Sequence, residues 1–248
     1  MSLPVAILAG GLATRLRDVT GPIPKSLVEV AGKPFVVHQL ELLRRQGMTD
    51  VVFCVGYLGD QVQAALGDGG RWGMNLRYAF DGPTLLGTGG SLRRALPLLG
   101  ESFVVIYGDS YLECDYAAVV QAFHTGGKLA LMTVFRNADQ WDRSNVLFRD
   151  GRILRYEKSH QAPDMQHIDY GMGVFSARVF DSYPEGRPLD LATVYQDLIR
   201  HDRLAGHEVL QRFYEIGSLE GLAETRRYLS RNRAEKGCQG ELRSAVSG

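Results

Sequence analysis

The sequence predicts an α/β fold in a single domain, with a Rossmann-like, mostly parallel mixed sheet flanked by helices. Apolar runs of strand length alternate with segments of helical period. The strand-like runs are residues 5–8, 51–55 and 103–107, and the helical segments are residues 34–46 and 116–125. This order is typical of βαβ units, in which helices cover a parallel sheet. The chain has 248 residues, 45% of them hydrophobic, enough to bury one full core.

The first helix has a clear beginning and end. Pro34 occupies a position suited to a first turn, and Gly47 follows the last turn. The apolar residues between them recur at helical spacing and are Phe35, Val36, Leu40 and Leu43. This face is expected to pack in the core.

The second half of the chain has a different pattern from about residue 129. Residues 129–135 are strand-like, and two further apolar runs, 145–148 and 153–156, flank the pair Asp150-Gly151. An Asp-Gly pair between strands is typical of a hairpin turn. We therefore expect this part of the sheet to be partly antiparallel.

The C-terminal part contains two further helical patterns, at residues 191–201 and 219–231. Beyond them the sequence is rich in Gly, Ser and charge, without apolar periodicity. We assign residues 1–231 to the domain and expect residues 232–248 to form a flexible tail.

Composition excludes several classes of function. Lys plus Arg and Asp plus Glu both total 28, so the formal charge is zero and no overall field attracts nucleic acid or an anionic membrane. The three cysteines, at 54, 114 and 238, are too scattered for a disulfide framework or a Cys-x-x-Cys metal site. No charged-then-apolar leader precedes the first strand, and no apolar run approaches the roughly 20 residues of a membrane span. We expect a cytoplasmic protein with neither nucleic-acid nor membrane partners.

The loop after the first strand has the composition of a phosphate site. Gly10 and Gly11 follow the strand directly, so backbone N–H groups there are able to approach a ligand closely. Arg15 and Lys25 add two cations on the same loop. The loop matches neither Gly-x-Gly-x-x-Gly nor the Walker pattern, which disfavours a dinucleotide oxidoreductase. A tight strand-to-loop connection is the alternative interpretation of the glycines alone.

Two segments of this loop resemble the signature of sugar-1-phosphate nucleotidyltransferases. They are LAGGLATRL at residues 8–16 and IPKSLVEVAGKP at residues 23–34, and the resemblance extends over roughly residues 3 to 230. Two positions depart from the usual signature, Ala13 in place of glycine and Glu29 in place of proline. The resemblance implies the nucleotidyltransferase fold and transfer from a nucleoside triphosphate to a sugar 1-phosphate, with release of pyrophosphate. In this scheme Arg15, Lys25 and Asp109 are catalytic.

The resemblance also implies a nucleotide site. The segment LGTGGSL at residues 86–92 is similar to the family's nucleoside-contacting segment, and glycines that open a helix suit close approach to a ligand. A helix start packed on the sheet is the alternative. Asp81 could accept hydrogen bonds from two guanine N–H groups, although Asp81-Gly82-Pro83 is also an ordinary turn. The expected nucleotide-binding residues are Leu8, Ala9, Gly10, Gly11, Gly56, Asp81, Gly87 and Thr88.

A Mg²⁺ site follows from the same resemblance. Asp109 comes directly after an apolar strand, at the carboxyl end where open α/β sheets bind ligands. The family's second metal ligand is an aspartate in a late D-x-G segment, and YEIGS at residues 214–218 offers Glu215 there. We expect Mg²⁺ to be bound by Asp109 and Glu215.

The expected sugar-phosphate site lies in the second half. The segment YEK at residues 156–158 is similar to the family's E-K-P motif, although a Glu-Lys pair is usually a solvated strand end. The segment DYGMG at residues 169–173 lies where the family has a sugar-contacting strand, and a β-bulge would also explain its glycines. The expected residues are Gly89, Asn145, Glu157, Lys158 and Gly171.

Within the family, four segments most resemble bacterial D-glycero-D-manno-heptose-1-phosphate guanylyltransferases: AGGLATRLR at residues 9–17, HQLELLRRQG at 38–47, VGYLG at 55–59 and IDYGMGVF at 168–175. This resemblance favours GTP and a role in lipopolysaccharide or capsule precursors. In the second interpretation, the chain resembles UTP-dependent N-acetylmuramate-1-phosphate uridylyltransferases. A non-catalytic nucleotide-sugar-binding protein is the alternative of a different class. A monomer or a homodimer is expected.

Overall fold

A computed structural model describes residues 2–11, 21, 23–158 and 162–231. The strands are β1 Val5–Leu8, β2 Glu29–Val30, β3 Lys33–Pro34, β4 Asp50–Val55, β5 Asn75–Phe80, β6 Ser102–Tyr107, β7 Ser110–Tyr111, β8 Ala130–Arg136, β9 Val146–Arg149, β10 Arg152–Tyr156, β11 His167–Ser176, β12 Leu204–Val209 and β13 Tyr214–Glu215. The helices are α1 Phe35–Arg45, α2 Gly59–Leu66, α3 Gly87–Leu99, α4 Tyr116–Gly126 and α5 Leu191–Arg200, and α6 covers 219–231.

The first half of the chain builds a parallel sheet. β1 pairs in parallel with both β4 and β6, and β4 pairs in parallel with β5. Helices α2 and α3 connect β4 to β5 and β5 to β6. The carboxyl ends of β1, β4 and β6 therefore meet at one edge, where the loops that follow them lie side by side.

The second half extends the same sheet mainly with antiparallel strands. β11 is antiparallel to β6 and to β8, and β9 and β10 form a hairpin. β12 is parallel to β8. The pairing of β11 with β8 shifts register between Asp169 and Gly173. Within the described residues, the sheet has nine strands and includes the path β10-β9-β11-β6-β1-β4-β5.

The core lies on both faces of the sheet. One face is covered by apolar residues of α1, α2 and α4, including Leu40, Val62 and Val119. The other face is covered by α3 and α5, through residues such as Leu92 and Leu198. A third, smaller cluster holds α6 against α1 and is formed by Val28, Val30, Phe35, Leu42, Tyr111, Ile216, Leu222 and Leu229. Burying one such large apolar side chain contributes about 1.5–3 kcal/mol.

The observed fold confirms the predicted α/β class and its mixed sheet. Pro34 directly precedes α1, and Asp150 and Gly151 both have positive φ in the β9–β10 turn, as the hairpin signal predicts. The ribbons β2–β3 and β7–β13 were not predicted, because two-residue strands carry no periodic signal. None of the helices in the described ranges is long and apolar enough to cross a membrane. The predicted tail, residues 232–248, lies outside the described residues.

Candidate active site

Two cavities open side by side at the carboxyl ends of β1, β4 and β6. The first, here the glycine cavity, has a volume of about 440 Å³, and its lining includes Gly10, Gly11, Asp81, Gly87, Thr88 and Gly108. The second, here the carboxylate cavity, has a volume of about 570 Å³, and its lining includes Trp141, Asn145, Lys158, Asp169, Gly171 and Glu215. Lys25, Tyr107 and Asp109 line both cavities.

An ion pair stands at the wall that the two cavities share. Lys25 Nζ lies 2.8 Å from Asp109 Oδ2. Lys25 begins a short 3₁₀ turn after Pro24, whereas Asp109 lies in the turn between β6 and β7. Both side chains are partly exposed, so each is available to a ligand in either cavity.

The position of Asp109 is fixed by main-chain hydrogen bonds around the β6–β7 turn. Gln39 Nε2 donates to the carbonyl oxygens of Tyr107 at 3.0 Å and Ser110 at 2.8 Å. The N–H of Ile216 donates to Asp109 O at 2.9 Å. These contacts tie the turn to α1 on one side and to the β13 segment on the other.

Glycines let the strand ends of the glycine cavity approach one another. A Cβ on Gly10 would lie 3.1 Å from Gly56 N, and a Cβ on Gly108 would lie 2.8 Å from Leu8 O. Among the described residues, no atom lies within 4 Å of a Cβ placed on Gly11. Within that part of the chain, the backbone beside Gly11 is accessible to a ligand.

The glycines that open α3 have a different role from the one expected from sequence. A Cβ on Gly87 or Gly90 would lie 2.8 Å from a carbonyl oxygen of the segment 187–190, and a Cβ on Gly89 would lie 2.9 Å from Leu189 Cγ. The N–H groups of Gly89 and Gly90 both donate to Leu189 O, at 2.9 and 3.1 Å. The space that these glycines leave is filled by residues 187–190, although Gly87 still lines the glycine cavity.

The carboxylate of Asp81 accepts hydrogen bonds from other residues of the protein. Only 5% of the residue is exposed. Its Oδ1 accepts a hydrogen bond from Ser91 Oγ at 2.6 Å and its Oδ2 accepts one from Leu86 N at 3.0 Å. Asp81 therefore anchors the start of α3 at the wall of the glycine cavity.

Glu215 approaches Asp109 through the β7–β13 ribbon, in which Glu215 pairs with Ser110. Its carboxylate accepts hydrogen bonds from Ser218 Oγ at 2.8 Å and from Gly217 N. Burial raises the pKa of Glu215 above its ordinary value, and the nearby charge of Asp109 adds to this. The hydrogen bonds from Ser218 and Gly217 and the charge of Lys25 oppose the rise.

The residues around Asp109 fit a magnesium ion. Mg²⁺ is usually held by one or two carboxylates together with substrate phosphates and waters, so a larger acidic cluster is not needed. Asp109 and Glu215 provide two carboxylates close enough for their charges to interact. No group of three or more His, Cys, Asp or Glu side chains suited to a metal is found among the described residues.

Asp190 contacts one lining residue of each cavity, although it lines neither cavity itself. Its Oδ1 accepts a hydrogen bond from Thr88 Oγ1 at 3.1 Å and lies 3.7 Å from Lys158 Nζ. Burial alone would raise the pKa of Asp190, but the N–H of Ala192 and the contacts with Lys158 and Thr88 lower it below its ordinary value. The carboxylate of Asp190 thus contacts both Thr88, which lines the glycine cavity, and Lys158, which lines the carboxylate cavity.

The floor of the carboxylate cavity is formed by the start of β11. The N–H of Asp169 donates to Asn145 Oδ1 at 2.9 Å, and Gly171 N donates to Asp169 Oδ1 at 3.0 Å. Gly171 has φ +97°, which explains the glycine at this register shift. Burial raises the pKa of Asp169, whereas the Gly171 N–H, the Lys158 charge and the Tyr156 hydroxyl oppose the rise.

Most of the predicted site residues line the cavities. Leu8, Ala9, Gly10, Gly11, Lys25, Asp81, Gly87, Thr88 and Asp109 line the glycine cavity, and Lys25, Asp109, Asn145, Lys158, Gly171 and Glu215 line the carboxylate cavity. Gly56, Gly89 and Glu157 line neither. Gly56 and Gly89 serve the packing of neighbouring loops instead. Arg15 lies outside the described residues.

Several residues at the site were not predicted from the sequence. Asp169 and Tyr156 lie at the edges of segments that were singled out, so their neighbours offered a signal. Trp141, in the lining of the carboxylate cavity, and Asp190, which contacts Lys158, lie in segments without a motif, and only the fold places them there.

Comparison with known proteins agrees with this architecture. The chain belongs to the nucleotidyl transferase family, whose model matches residues 5–229. It is 32% identical to N-acetylmuramate α-1-phosphate uridylyltransferase of Neisseria meningitidis serogroup B over 88% of this chain and 94% of that protein. It is 28% identical to UTP–glucose-1-phosphate uridylyltransferase of Synechocystis over 75% of this chain, but spans only 52% of that relative. The prediction of an enzyme is confirmed.

Solved structures share the fold. A Bacillus anthracis protein assigned as a glucose-1-phosphate thymidylyltransferase superposes with a TM-score of 0.82 at 22% identity, covering 93% of this chain and 96% of that one. HddC from Yersinia pseudotuberculosis, solved with GMP-PN, superposes with a TM-score of 0.77 at 24% identity, covering 92% and 100%. At these identities the likeness concerns the fold alone.

Proposed function

We propose that this protein transfers a nucleoside monophosphate from a nucleoside triphosphate to a sugar 1-phosphate. The observation that carries the proposal is the Lys25–Asp109 pair at the wall shared by the two cavities. The glycine cavity receives the nucleotide, and the carboxylate cavity receives the sugar phosphate. The two reacting phosphates then meet beside Lys25 and Asp109.

The chemistry needs no protein nucleophile. An oxygen of the sugar phosphate forms a bond to the α-phosphorus, and the bond from that phosphorus to the bridging oxygen of the β-phosphate breaks. Pyrophosphate leaves with the electron pair of that bond. A sugar phosphate is already ionised at neutral pH, so the main obstacles are repulsion between anions and the charge on the leaving group.

The cations of this chain reduce both obstacles. Lys25 stabilises the charge that develops around the α-phosphate, because it borders both cavities. Lys158 orients the attacking phosphate from the carboxylate cavity. We assign Arg15 to the β- and γ-phosphates, from its place in the loop motif.

We also propose that Mg²⁺ binds at Asp109 and Glu215. When bound, the ion supplies positive charge that neutralises phosphate oxygens. Lys25, now paired with Asp109, is close enough to share that role with the ion. Chelation by EDTA is expected to stop turnover, and added Mg²⁺ is expected to restore it.

Two observations favour UTP as the nucleotide and an N-acetylmuramate-type sugar 1-phosphate as the acceptor. The Neisseria relative, matched over nearly its full length, is a uridylyltransferase. Each oxygen of Asp81, the residue expected to recognise guanine, accepts one hydrogen bond within the protein, from Ser91 or Leu86, which reduces its capacity to accept the N–H groups of guanine. Transfer from GTP to a heptose 1-phosphate is the second candidate, supported by the sequence patterns. A role in cell-surface precursors and a monomeric or dimeric state remain predictions.

The test is a matrix of the common nucleoside triphosphates against a panel of sugar 1-phosphates with Mg²⁺, scored by pyrophosphate release. The panel includes N-acetylmuramate α-1-phosphate and D-glycero-D-manno-heptose 1-phosphate. We expect pyrophosphate only when both substrates are present, with UTP giving the highest rate. Absence of release for every pair would contradict the proposal, and a preference for GTP with the heptose phosphate would select the second candidate.

A further inference from the structure

Trp141 is a large aromatic side chain exposed at the wall of the carboxylate cavity. Its exposed fraction is 45%, and it lies in the loop that connects β8 to β9, residues 137–145. Lys25, Lys158 and Asp109 line the same cavity. A tryptophan left this open to water is not explained by core packing.

The loop that carries Trp141 is fixed by its own polar groups. Asn137 is fully buried, and its Nδ2 donates to Asp142 O at 2.5 Å while its Oδ1 accepts from Trp141 N at 3.3 Å. Ser144 N donates to Asp139 Oδ1 at 2.7 Å, and Asp139 N donates to Ser144 Oγ at 3.1 Å. The backbone below the indole is therefore held in one conformation.

The orientation of the indole is set by a cation. The guanidinium carbon of Arg212 lies 3.3 Å from the centroid of the Trp141 ring and 4.8 Å from that of Tyr214. Arg212 is itself held by an ion pair with Glu224. One face of the indole is thus covered by Arg212. Trp141 lines the carboxylate cavity and also a smaller pocket of about 130 Å³ that Arg212 and Glu224 border.

We propose that Trp141 is a specificity-determining residue that packs against the apolar C–H face of the acceptor's sugar ring. The inference rests on the proposed function, because it places a sugar 1-phosphate in this cavity. Sugar rings have C–H groups that pack on aromatic faces and edges, while the charged phosphate is drawn to Lys25 and Lys158. A ring fixed before binding loses little conformational freedom when the sugar arrives.

Kinetics of two Trp141 variants test the proposal. Trp141→Ala is expected to raise the KM for the sugar 1-phosphate about tenfold, the equivalent of about 1.4 kcal/mol, within the range for a lost aromatic contact. The KM for UTP should not change. Trp141→Phe keeps an aromatic ring and is expected to remain within about threefold of wild type.

The matched control is Leu154→Ala. Leu154 lies on β10, is 44% exposed, and lines neither cavity. Its removal should change neither KM. The proposal would be overturned if Trp141→Ala and Leu154→Ala had the same KM for the acceptor. It would also be overturned if Trp141→Ala raised the KM for the acceptor and the KM for UTP by equal factors.

Fluorescence provides a readout that does not depend on turnover or on the stability of Trp141→Ala. The chain has two tryptophans, so Trp72→Phe leaves Trp141 alone. Trp72 lies in the 3₁₀ turn Gly70–Trp72, away from both cavities. Titration with N-acetylmuramate α-1-phosphate or glucose 1-phosphate should change the emission saturably, and UTP alone should not.

The two experiments separate this inference from the proposed function. Pyrophosphate release without any acceptor-dependent change in Trp141 emission overturns the inference and leaves the proposed function intact. Acceptor-dependent emission without pyrophosphate release from any substrate pair contradicts the proposed function while supporting sugar-phosphate contact with Trp141.

Discussion

The two cavities are built in different ways. The glycine cavity lies at the carboxyl ends of three parallel strands, and the glycines in its lining are Gly10, Gly11, Gly87 and Gly108. The carboxylate cavity is formed by side chains from antiparallel strands and loops, such as Asn145 and Lys158. Backbone recognition suits a phosphate chain common to all nucleoside triphosphates, whereas side chains suit an acceptor that varies between enzymes.

The largest expected effect lies where the cavities join. Lys25→Ala should lower kcat by about 10²–10³-fold, because it removes a cation beside the developing charge. The free energy of unfolding should change little, since Lys25 forms a partly exposed ion pair. Steady-state kinetics and denaturant unfolding measure the two quantities.

The control for this variant is Lys33→Ala. Lys33 also forms an ion pair, with Glu41, but lines neither cavity. It should retain wild-type kcat. An equal fall in kcat in both variants would mean that Lys25 acts only through the overall charge of the protein.

A smaller effect is expected at the second link between the cavities. Asp190→Asn keeps the shape but removes the charge that faces Lys158 and weakens the acceptor for Thr88. We expect kcat/KM for the acceptor to fall about tenfold, which is about 1.4 kcal/mol and within the range for a hydrogen bond to a charged group. Unchanged kinetics would show that Asp190 only caps α5.

Glycine substitutions should separate packing from ligand approach. Gly90→Ala places a Cβ 2.8 Å from Arg187 O and should cost about 1–3 kcal/mol of unfolding free energy. Among the described residues, a Cβ on Gly11 meets nothing within 4 Å, so Gly11→Ala should leave stability unchanged and raise only the KM for the nucleotide. Thermal unfolding and steady-state kinetics of the two variants provide the test. A loss of stability in Gly11→Ala, or a raised nucleotide KM without loss of stability in Gly90→Ala, would contradict the roles given to these glycines.

The smallest effect concerns the pH dependence of stability at Asp169. Because burial raises its folded pKa, this carboxyl contributes stability that is present below its ordinary pKa and lost as the pH rises through the folded pKa. Asp169→Asn cannot ionise. As the pH rises above the ordinary pKa of the carboxyl, the stability of the variant relative to wild type should therefore increase, measured by denaturant unfolding, whereas a constant difference would contradict the raised pKa.

The same contrast explains what the sequence was able to predict. Lys25 and Asp109 follow recognisable local patterns, so the junction could be found without the fold. The contact between Lys158 and Asp190 joins residues far apart in the chain, and no local sequence pattern near either residue predicts it. The glycines of α3 were recognised, but the segment 187–190 that fills the space beside them was not. Residues singled out by local motifs lie in both cavities, whereas contacts such as Lys158–Asp190 depend on long-range packing.

The most direct test is a crystal structure of the protein with its nucleotide-sugar product. We expect the nucleoside in the glycine cavity, the sugar in the carboxylate cavity beside Trp141, and the diphosphate between them next to Lys25 and Asp109. A product lying wholly within one cavity, or a diphosphate out of reach of Lys25, would show that this arrangement is wrong.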